Sequence, residues 1–171
     1  MLFVCANNIC RSPIAEGVFR VTAQRRGLDR IEVDSAGIFA NHAGRPPDPR
    51  AIAAASARGY DLSGIRARQV IVADFERFAW ILAMDEHNLR ALASIAPQGY
   101  AGHLGLLMSF AEAPPSREVP DPYFGSRSQF DEVVRLVEMA CEGLASRLLP
   151  ARRESAGDGG GGRRAGGLPD R

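Results

Sequence analysis

The chain has 171 residues, 46% of them hydrophobic, which suits one compact domain with an apolar core. Its 21 basic residues, all of them arginine, nearly balance 20 acidic residues, and the formal net charge of +1 gives no reason to expect a nucleic acid or a membrane as partner. No apolar run approaches the ~20 residues of a membrane span, and no signal peptide is expected.

The N-terminal part of the chain alternates between predicted strands and helices. Residues 2–4 form a short apolar run before a loop, which predicts a buried strand. Residues 13–26 are predicted to be helical, because proline suits the first helical position and apolar side chains then recur on one face. Residues 31–33 predict a second strand, residues 34–49 a loop rich in proline and glycine, and residues 50–58 an alanine-rich helix.

The alternation continues after this helix. Strands are predicted over residues 70–72, 79–84 and 103–108, the first of them from a weak signal. Asp85 is expected to cap a helix that ends near residue 96. Residues 111–125 carry four prolines and are predicted to be a loop.

The last predicted helix shows the clearest pattern. Its apolar residues at helical spacing are Phe130, Val133, Val134, Val137, Cys141, Leu144 and Leu148. Ser128 and Asp131 are expected to form a capping box at its start. From residue 151 onward the composition changes to Gly, Arg, Asp and Ser, so we predict a domain over residues 1–150 and a disordered Gly/Arg-rich tail over residues 151–171.

Strands that alternate with helices predict an α/β fold in which a parallel sheet is covered by helices on both faces. Ligands of such folds bind at the carboxyl ends of the strands. The segment VCANNICRSP, residues 4–13, lies at the end of the first predicted strand and leads into the first predicted helix. This segment is therefore the expected place for a binding site.

Segment 4–13 contains Cys5, five further residues, Arg11 and the hydroxyl of Ser12, which together predict a phosphate-binding loop. Backbone N–H groups and the helix N-terminus bind phosphate oxygens, and the Arg11 guanidinium binds two oxygens at once. This setting favours a Cys5 thiolate that attacks phosphorus and forms a phosphocysteine, while Ser12 hydrogen-bonds the sulfur. Asparagines in such a loop suit a left-handed backbone. The expected phosphate-binding residues are Ala6, Asn7, Asn8, Ile9, Cys10 and Ser12.

A second segment, VPDPYFG over residues 119–125, supplies the proton donor that this chemistry needs. Asp121 stands between two prolines that hold it stiffly, and we expect it to protonate the leaving oxygen and then to take a proton from the attacking water. Tyr123 and Phe124 are expected to form an aromatic wall for a flat ring. By itself this segment is an ordinary turn before a helix, so the assignment depends on the cysteine loop.

Together the two segments resemble the low-molecular-weight protein tyrosine phosphatases, and the resemblance runs from about residue 2 to residue 149. It includes the segments DSAG at 34–37, PPDPR at 46–50, ARQ at 67–69 and MDE at 84–86. The resemblance implies a three-layer fold with a four-stranded parallel sheet flanked by helices, of the phosphotyrosine protein phosphatase I type. It also implies no metal and no organic cofactor.

The resemblance also implies a role for particular residues. The family's nucleophile falls on Cys5, its phosphate-binding arginine on Arg11 and its general acid on Asp121. The loop asparagine and the nearby serine that order the loop fall on Asn8 and Ser35.

The chain departs from the family pattern at several positions. Asn7 stands where glycine is usual, and we expect either a positive φ at this residue or a slightly reshaped loop. Asn41 replaces an aromatic residue at the mouth of the cleft, and Gly64 replaces a histidine that supports the loop, so both regions are expected to be less tightly built. Cys10 matches a second loop cysteine that can form a protective disulfide with Cys5, although simple packing explains it equally well.

Other functions stay open alternatives. An arsenate reductase on the same fold needs two further cysteines, and only Cys141 lies beyond the loop. Protein arginine phosphatases carry threonine where this chain has Ile9, and a non-enzymatic phosphate-binding module would lack the nucleophile or the acid. A metal site is the least favoured, because the three histidines show no ligand spacing.

The resemblance implies a phosphotyrosine-containing protein as substrate, with a bacterial tyrosine kinase as one candidate. We expect no nucleic acid and no membrane as partner, and a monomer or weak dimer. Three cysteines without a disulfide framework and without a signal peptide predict a cytoplasmic location. Some relatives are exported by a non-classical route, so export stays open.

Overall fold

The computed structural model describes residues 1–149, and the predicted tail at residues 151–171 lies outside them. The elements in chain order are β1 (Leu2–Cys5), α1 (Arg11–Arg25), β2 (Asp34–Gly37), α2 (Pro49–Ser56), α3 (Asp74–Arg77), β3 (Trp80–Ala83), α4 (Glu86–Ile95), β4 (His103–Leu106) and α5 (Arg127–Leu148). A 3-10 turn at Leu107–Phe110 follows β4. Within residues 1–149, no helix has both the length and the apolar character needed to cross a bilayer.

The four strands form one parallel sheet in the order β2-β1-β3-β4. β1 is central, because Leu2 lies opposite Asp34 on one side and opposite Ile81 on the other. All four residues of β1 are buried, as expected for a parallel strand with helices on both faces. The prediction of an α/β fold with a four-stranded parallel sheet flanked by helices is confirmed.

Alternate residues of β1 enter two separate apolar cores, one on each face of the sheet. Leu2 and Val4 belong to the smaller core. Phe3 and Cys5 belong to the larger core, where α1 packs against both β1 and α5. Cys5 is therefore held at the carboxyl end of a buried central strand, on the face that α1 covers.

The second strand lies three residues later than predicted. The segment that pairs with β1 is Asp34–Gly37, whereas the predicted residues 31–33 precede it. The observed strand has the sequence DSAG, which carries almost no apolar or β-branched signal. Its pairing with β1 and the small size of its residues, not its own hydrophobic pattern, make it a strand.

The strand predicted over residues 70–72 is wrong. In this region a single isolated bridge joins Gln69 to Gly37, and no ladder follows it within residues 1–149. Ile71 and Val72 are 56% and 55% exposed, so their apolar side chains face solvent and do not cover a sheet. The β-branched run that favoured a strand is part of a loop that leads into α3.

Helix caps agree with prediction at one helix and differ at another. Asp85 caps α4 as predicted, and its Oδ1 accepts a backbone N–H of the first turn at 2.7 Å. The capping box predicted for Ser128 and Asp131 is wrong, because α5 begins two residues earlier. Ser126 is its N-cap, and the Ser126 N–H donates to Gln129 Oε1 at 2.7 Å.

Candidate active site

The cysteine loop connects β1 to α1 at the carboxyl edge of the sheet. Cys5 is the last residue of β1 and Arg11 is the first residue of α1, so the loop backbone lies between a strand end and a helix N-terminus. One loop residue, Asn8, has a left-handed backbone with φ 55°. The expectation of a positive φ at Asn7 is wrong, because its φ lies outside that region.

A cavity of about 200 Å³ opens above this loop. Cys5 is 2% exposed and Phe124 is 98% exposed, so the cavity runs from a buried thiol to the protein surface. The lining residues are Cys5, Ala6, Asn7, Ile9, Cys10, Arg11, Asp121, Tyr123 and Phe124. The rings of Tyr123 and Phe124 meet edge to face with centroids 4.9 Å apart. Asn8 and Ser12, which were also predicted to bind phosphate, are fully buried and do not line the cavity.

A chain of hydrogen bonds runs from Cys5 into the interior. Cys5 Sγ lies 3.1 Å from Ser12 Oγ. Asn8 Nδ2 donates to Ser12 Oγ at 2.9 Å and to Ser35 Oγ at 2.8 Å. The Ser35 hydroxyl donates in turn to the buried carboxylate of Glu16. We call these five residues, from Glu16 to Cys5, the hydrogen-bond relay.

Further contacts hold the two loop asparagines. The backbone N–H of Arg68 donates to Asn8 Oδ1 at 3.0 Å. Asn41 Nδ2 donates to Asn7 Oδ1 at 3.0 Å, so two residues that depart from the family pattern contact each other beside the cavity. A Cβ added at Gly64 would meet no heavy atom within 4 Å. The space beside Gly64 is therefore open, whereas the Glu16 side chain occupies the inner end of the hydrogen-bond relay.

Arg11 is held in place by two carboxylates. Its side chain is 3% exposed, with Nη1 2.6 Å from Asp85 Oδ2 and Nη2 3.0 Å from Asp121 Oδ2. Nη1 also donates to the carbonyl of Val119 at 3.2 Å. Burial alone would lower the pKa of Arg11, but the negative charges of Cys5, Asp121 and Asp85 outweigh burial and raise that pKa above its ordinary value. Arg11 is therefore a permanently charged group in the wall of the cavity.

Asp121 reaches the cavity from the loop before α5. Its side chain is half exposed, and Oδ1 accepts the N–H of Tyr123 at 3.1 Å while Oδ2 contacts Arg11. The carboxyl is thus oriented by two donors and still open to water. A group that gives up a proton and recovers one from water needs this combination.

The other cysteines are in different environments. Burial and the carboxylate of Asp48 raise the pKa of the Cys10 thiol well above its ordinary value. Cys141 is completely buried in the face of α5 that packs in the larger core, and burial raises its pKa too. All three cysteines are free thiols. Within residues 1–149, no group of three or more His, Cys, Asp or Glu side chains could hold a metal ion.

The sequence did not single out Glu16, Arg68 or Asp85 as site residues. Glu16 stands four residues before Arg20, a spacing typical of an exposed ion pair on a helix, although Glu16 is buried. Arg68 and Asp85 lie in segments that the resemblance included without assigning roles to them. Their contacts with the loop depend on how distant segments pack, and no local pattern indicates those contacts.

Comparison with known proteins agrees with this geometry. The family model described as low molecular weight phosphotyrosine protein phosphatase matches residues 1–154. The chain belongs to this family. The phosphatase is 39% identical over 149 residues to the low molecular weight protein-tyrosine-phosphatase YfkJ of Bacillus subtilis, with 86% of this chain and 94% of the relative covered. It is 36% identical over 152 residues to the low molecular weight phosphotyrosine protein phosphatase of Homo sapiens, with 86% and 94% covered.

Solved structures share the same fold. The protein tyrosine phosphatase from Entamoeba histolytica, with Hepes in the active site, has a TM-score of 0.82 and 38% identity, and the match covers 86% of this chain and 94% of that one. The crystal structure of YfkJ has a TM-score of 0.79 and 39% identity, with 85% and 91% covered. The predicted family, fold and enzyme class are therefore confirmed.

Proposed function

We propose that this phosphatase hydrolyses phosphotyrosine in proteins, and small aryl phosphates, through a phosphocysteine formed on Cys5. One observation supports the proposal above all: Cys5, Arg11 and Asp121 line a single cavity. A thiol, a guanidinium and a carboxyl in one cavity are the nucleophile, the phosphate clamp and the proton donor that two-step ester hydrolysis requires.

In the first step, the Cys5 thiolate attacks phosphorus and the bond from phosphorus to the leaving oxygen breaks. Backbone N–H groups of the loop residues that line the cavity, together with the Arg11 guanidinium, bind the non-bridging oxygens. Asp121 gives its proton to the leaving oxygen, so tyrosine departs as a neutral phenol. Before this transfer Asp121 carries the proton, and in that neutral state its contact with Arg11 Nη2 is weaker. The nitrogen is then free to bind phosphate.

In the second step, water attacks the phosphocysteine and the phosphorus–sulfur bond breaks. Asp121, now a carboxylate, takes a proton from the water and returns to its starting state. The sulfur departs as a thiolate, and the Ser12 hydroxyl 3.1 Å away donates a hydrogen bond to it. Inorganic phosphate is the product.

The rim of the cavity supports an aromatic substrate. Tyr123 and Phe124 present two rings at its mouth, where the ring of a phosphotyrosine would lie. A related protein, Wzb of Vibrio vulnificus, is known in complex with benzylphosphonate; it has 31% identity and a TM-score of 0.74. Wzb of Escherichia coli K30 is known in complex with sulphate, with 33% identity and a TM-score of 0.73. An aryl group beside a tetrahedral oxyanion has the shape of the substrate proposed here.

The physiological substrate that we propose is a phosphotyrosine-bearing protein, with a tyrosine kinase as one candidate, and the proposed location is the cytoplasm. The cysteines of the described residues, including the nucleophile, are free thiols. A catalytic thiol needs reducing surroundings to stay active, which supports this location.

The role of Cys5 is tested by Cys5→Ser, with Cys141→Ala as a matched loss of a thiol far from the cavity. We expect Cys5→Ser to lose all turnover of p-nitrophenyl phosphate while isothermal titration still detects binding of inorganic phosphate. Cys141→Ala should keep the parent kcat, because that thiol lies in the α5 core. Turnover by Cys5→Ser would refute the nucleophile assignment.

The role of Asp121 is tested by Asp121→Asn on a series of aryl phosphates. A general acid matters most for poor leaving groups, so phenyl phosphate should lose about 10²- to 10⁴-fold in kcat/KM and p-nitrophenyl phosphate much less. Equal losses across the series would contradict this role. Parallel assays on phosphotyrosine, phosphoserine and phosphoarginine peptides, and on arsenate with a reductant, separate the proposal from its alternatives.

A further inference from the structure

Glu16 is a buried carboxylate to which the two chemical steps assign no role. It lies in the second turn of α1, is 2% exposed, and accepts a hydrogen bond from the Ser35 hydroxyl. We propose that Glu16 is a positioning residue, which sets the direction of the hydroxyl protons in the hydrogen-bond relay so that Ser12 donates to Cys5. This inference rests on the proposed role of Cys5 as the nucleophile.

The middle of the relay supplies only donors. Asn8 Nδ2 has two N–H groups and no acceptor, and it donates to Ser12 Oγ and Ser35 Oγ. Its Oδ1 accepts the backbone N–H of Arg68, which decides the end of the amide that faces the serines. Both hydroxyls must therefore accept from Asn8, and each keeps one proton to donate elsewhere.

The groups at the two ends of the relay determine the acceptor to which each hydroxyl donates. The Ser35 hydroxyl donates its hydrogen bond to Glu16 Oε2. The Ser12 proton has two acceptors, Cys5 Sγ at 3.1 Å and the Ala36 carbonyl at 3.3 Å, and a charged thiolate is the stronger of the two.

Without an acceptor at Glu16, the Ser35 proton is buried and unpaired. Rotation of the Ser35 hydroxyl or of the Asn8 amide would give that proton an acceptor, and the rotation would release Ser12 from its fixed orientation. The orientation of the relay therefore predicts that removal of Glu16 impairs the enzyme.

A carboxylate near a thiolate repels it, so charge alone predicts that removing Glu16 would favour the thiolate. Burial raises the pKa of Glu16, against the Ser35 hydrogen bond and the cations of Arg20 and Arg68, while Asp34 adds to the increase. If the relay orientation matters more than the charge, loss of the acceptor will harm the enzyme even when the charge is kept.

Two conservative variants separate these effects. Glu16→Gln keeps an acceptor oxygen at the same reach and removes the charge, whereas Glu16→Asp keeps the charge and withdraws the acceptor from Ser35. The matched control is Arg20→Met, because Arg20 is half exposed and contacts the other carboxylate oxygen, Oε1, at 2.5 Å.

The measurements needed are kcat and KM for p-nitrophenyl phosphate, phosphocysteine hydrolysis by rapid quench, iodoacetate inactivation as a function of pH, and thermal unfolding. Glu16→Gln and Arg20→Met should stay within about twofold of the parent in kcat. Glu16→Asp should lose about tenfold in kcat and in phosphocysteine hydrolysis with little change in KM, the size expected for one hydrogen bond to a charged group. Its inactivation by iodoacetate should move to higher pH, which a purely structural defect would not cause.

A second variant keeps the inference testable if Glu16→Asp does not fold. Ser35→Ala breaks the relay at the next residue and should show the same loss of kcat and the same shift of the inactivation profile. In the Ser35→Ala background, Glu16→Asp should add no further loss. A parent-like Ser35→Ala, an additive loss, or a Glu16→Gln enzyme more impaired than Glu16→Asp would each overturn the proposal. Cys5→Ser tests the nucleophile separately, because the Glu16 series is compared with a parent in which Cys5 is intact.

Discussion

Gly37, the last residue of β2, leaves no room for a side chain beside the cysteine loop. A Cβ at this position would lie 2.9 Å from the Asn7 carbonyl carbon, 3.0 Å from the Ala6 carbonyl oxygen and 3.0 Å from the Asn8 nitrogen. All three are backbone atoms, so no side-chain rotation relieves the contact. The φ of Gly37 lies outside the left-handed region, and Gly37→Ala therefore tests packing without backbone strain.

The size of the effect follows from these distances. Ordinary Cβ contacts begin near 3.4 Å, so the loop or the strand must retreat by about 0.5 Å. Overpacking of this kind costs about 1–3 kcal/mol. The Ala6 carbonyl belongs to the same planar peptide unit as the Asn7 N–H, which is proposed to bind phosphate. Misplacement of positioned groups by about 1 Å costs about 100-fold in rate. We expect kcat/KM for p-nitrophenyl phosphate to fall about 10- to 100-fold, with a parallel rise in the Ki of inorganic phosphate.

The matched control is Gly64→Ala, because a Cβ there meets no heavy atom within 4 Å and the backbone is not left-handed. It should keep the parent kcat/KM and Ki. Steady-state kinetics and phosphate inhibition are measured beside urea unfolding for both variants. A Gly37→Ala enzyme that loses stability but keeps both kinetic constants would refute the reasoning, because the strand and not the loop would then have moved.

Two further predictions concern titrating groups. The raised pKa of Cys10 keeps it a thiol at neutral pH, so limited iodoacetamide should label Cys5 and leave Cys10 unmodified in peptide mass spectrometry; equal labelling would contradict this. Because burial raises the pKa of Glu16, the folded protein binds more protons than the unfolded chain between the ordinary carboxyl pKa of 4.5 and the raised pKa. The contribution of Glu16 to the free energy of unfolding should therefore fall as pH rises through that window. Glu16→Gln should remove this contribution to the pH dependence of urea unfolding between about pH 4 and 7. An unchanged pH slope in Glu16→Gln would contradict the prediction.

Much of the fold was predictable because its main signals are local. The apolar run of β1, the proline at the start of α1 and the helical spacing in α5 each depend on residues close together in the chain. The segment Asp34–Gly37 could not be recognised as a strand from its composition. Its four small or polar residues become a strand because they pair with β1, a partner some thirty residues away.

Within the site, the amino-acid sequence alone determined which groups are present: a thiol, an arginine and a hydroxyl at fixed spacing on one strand–loop–helix unit, with a carboxyl on a second loop. Only the tertiary structure decided how these groups are held. The sheet order places Gly37 against the loop backbone and the Ser35 hydroxyl on Glu16. The groups of the loop are close together in the sequence. Steric contacts and hydrogen-bond directions between separate segments, in contrast, arise only when strands and helices pack.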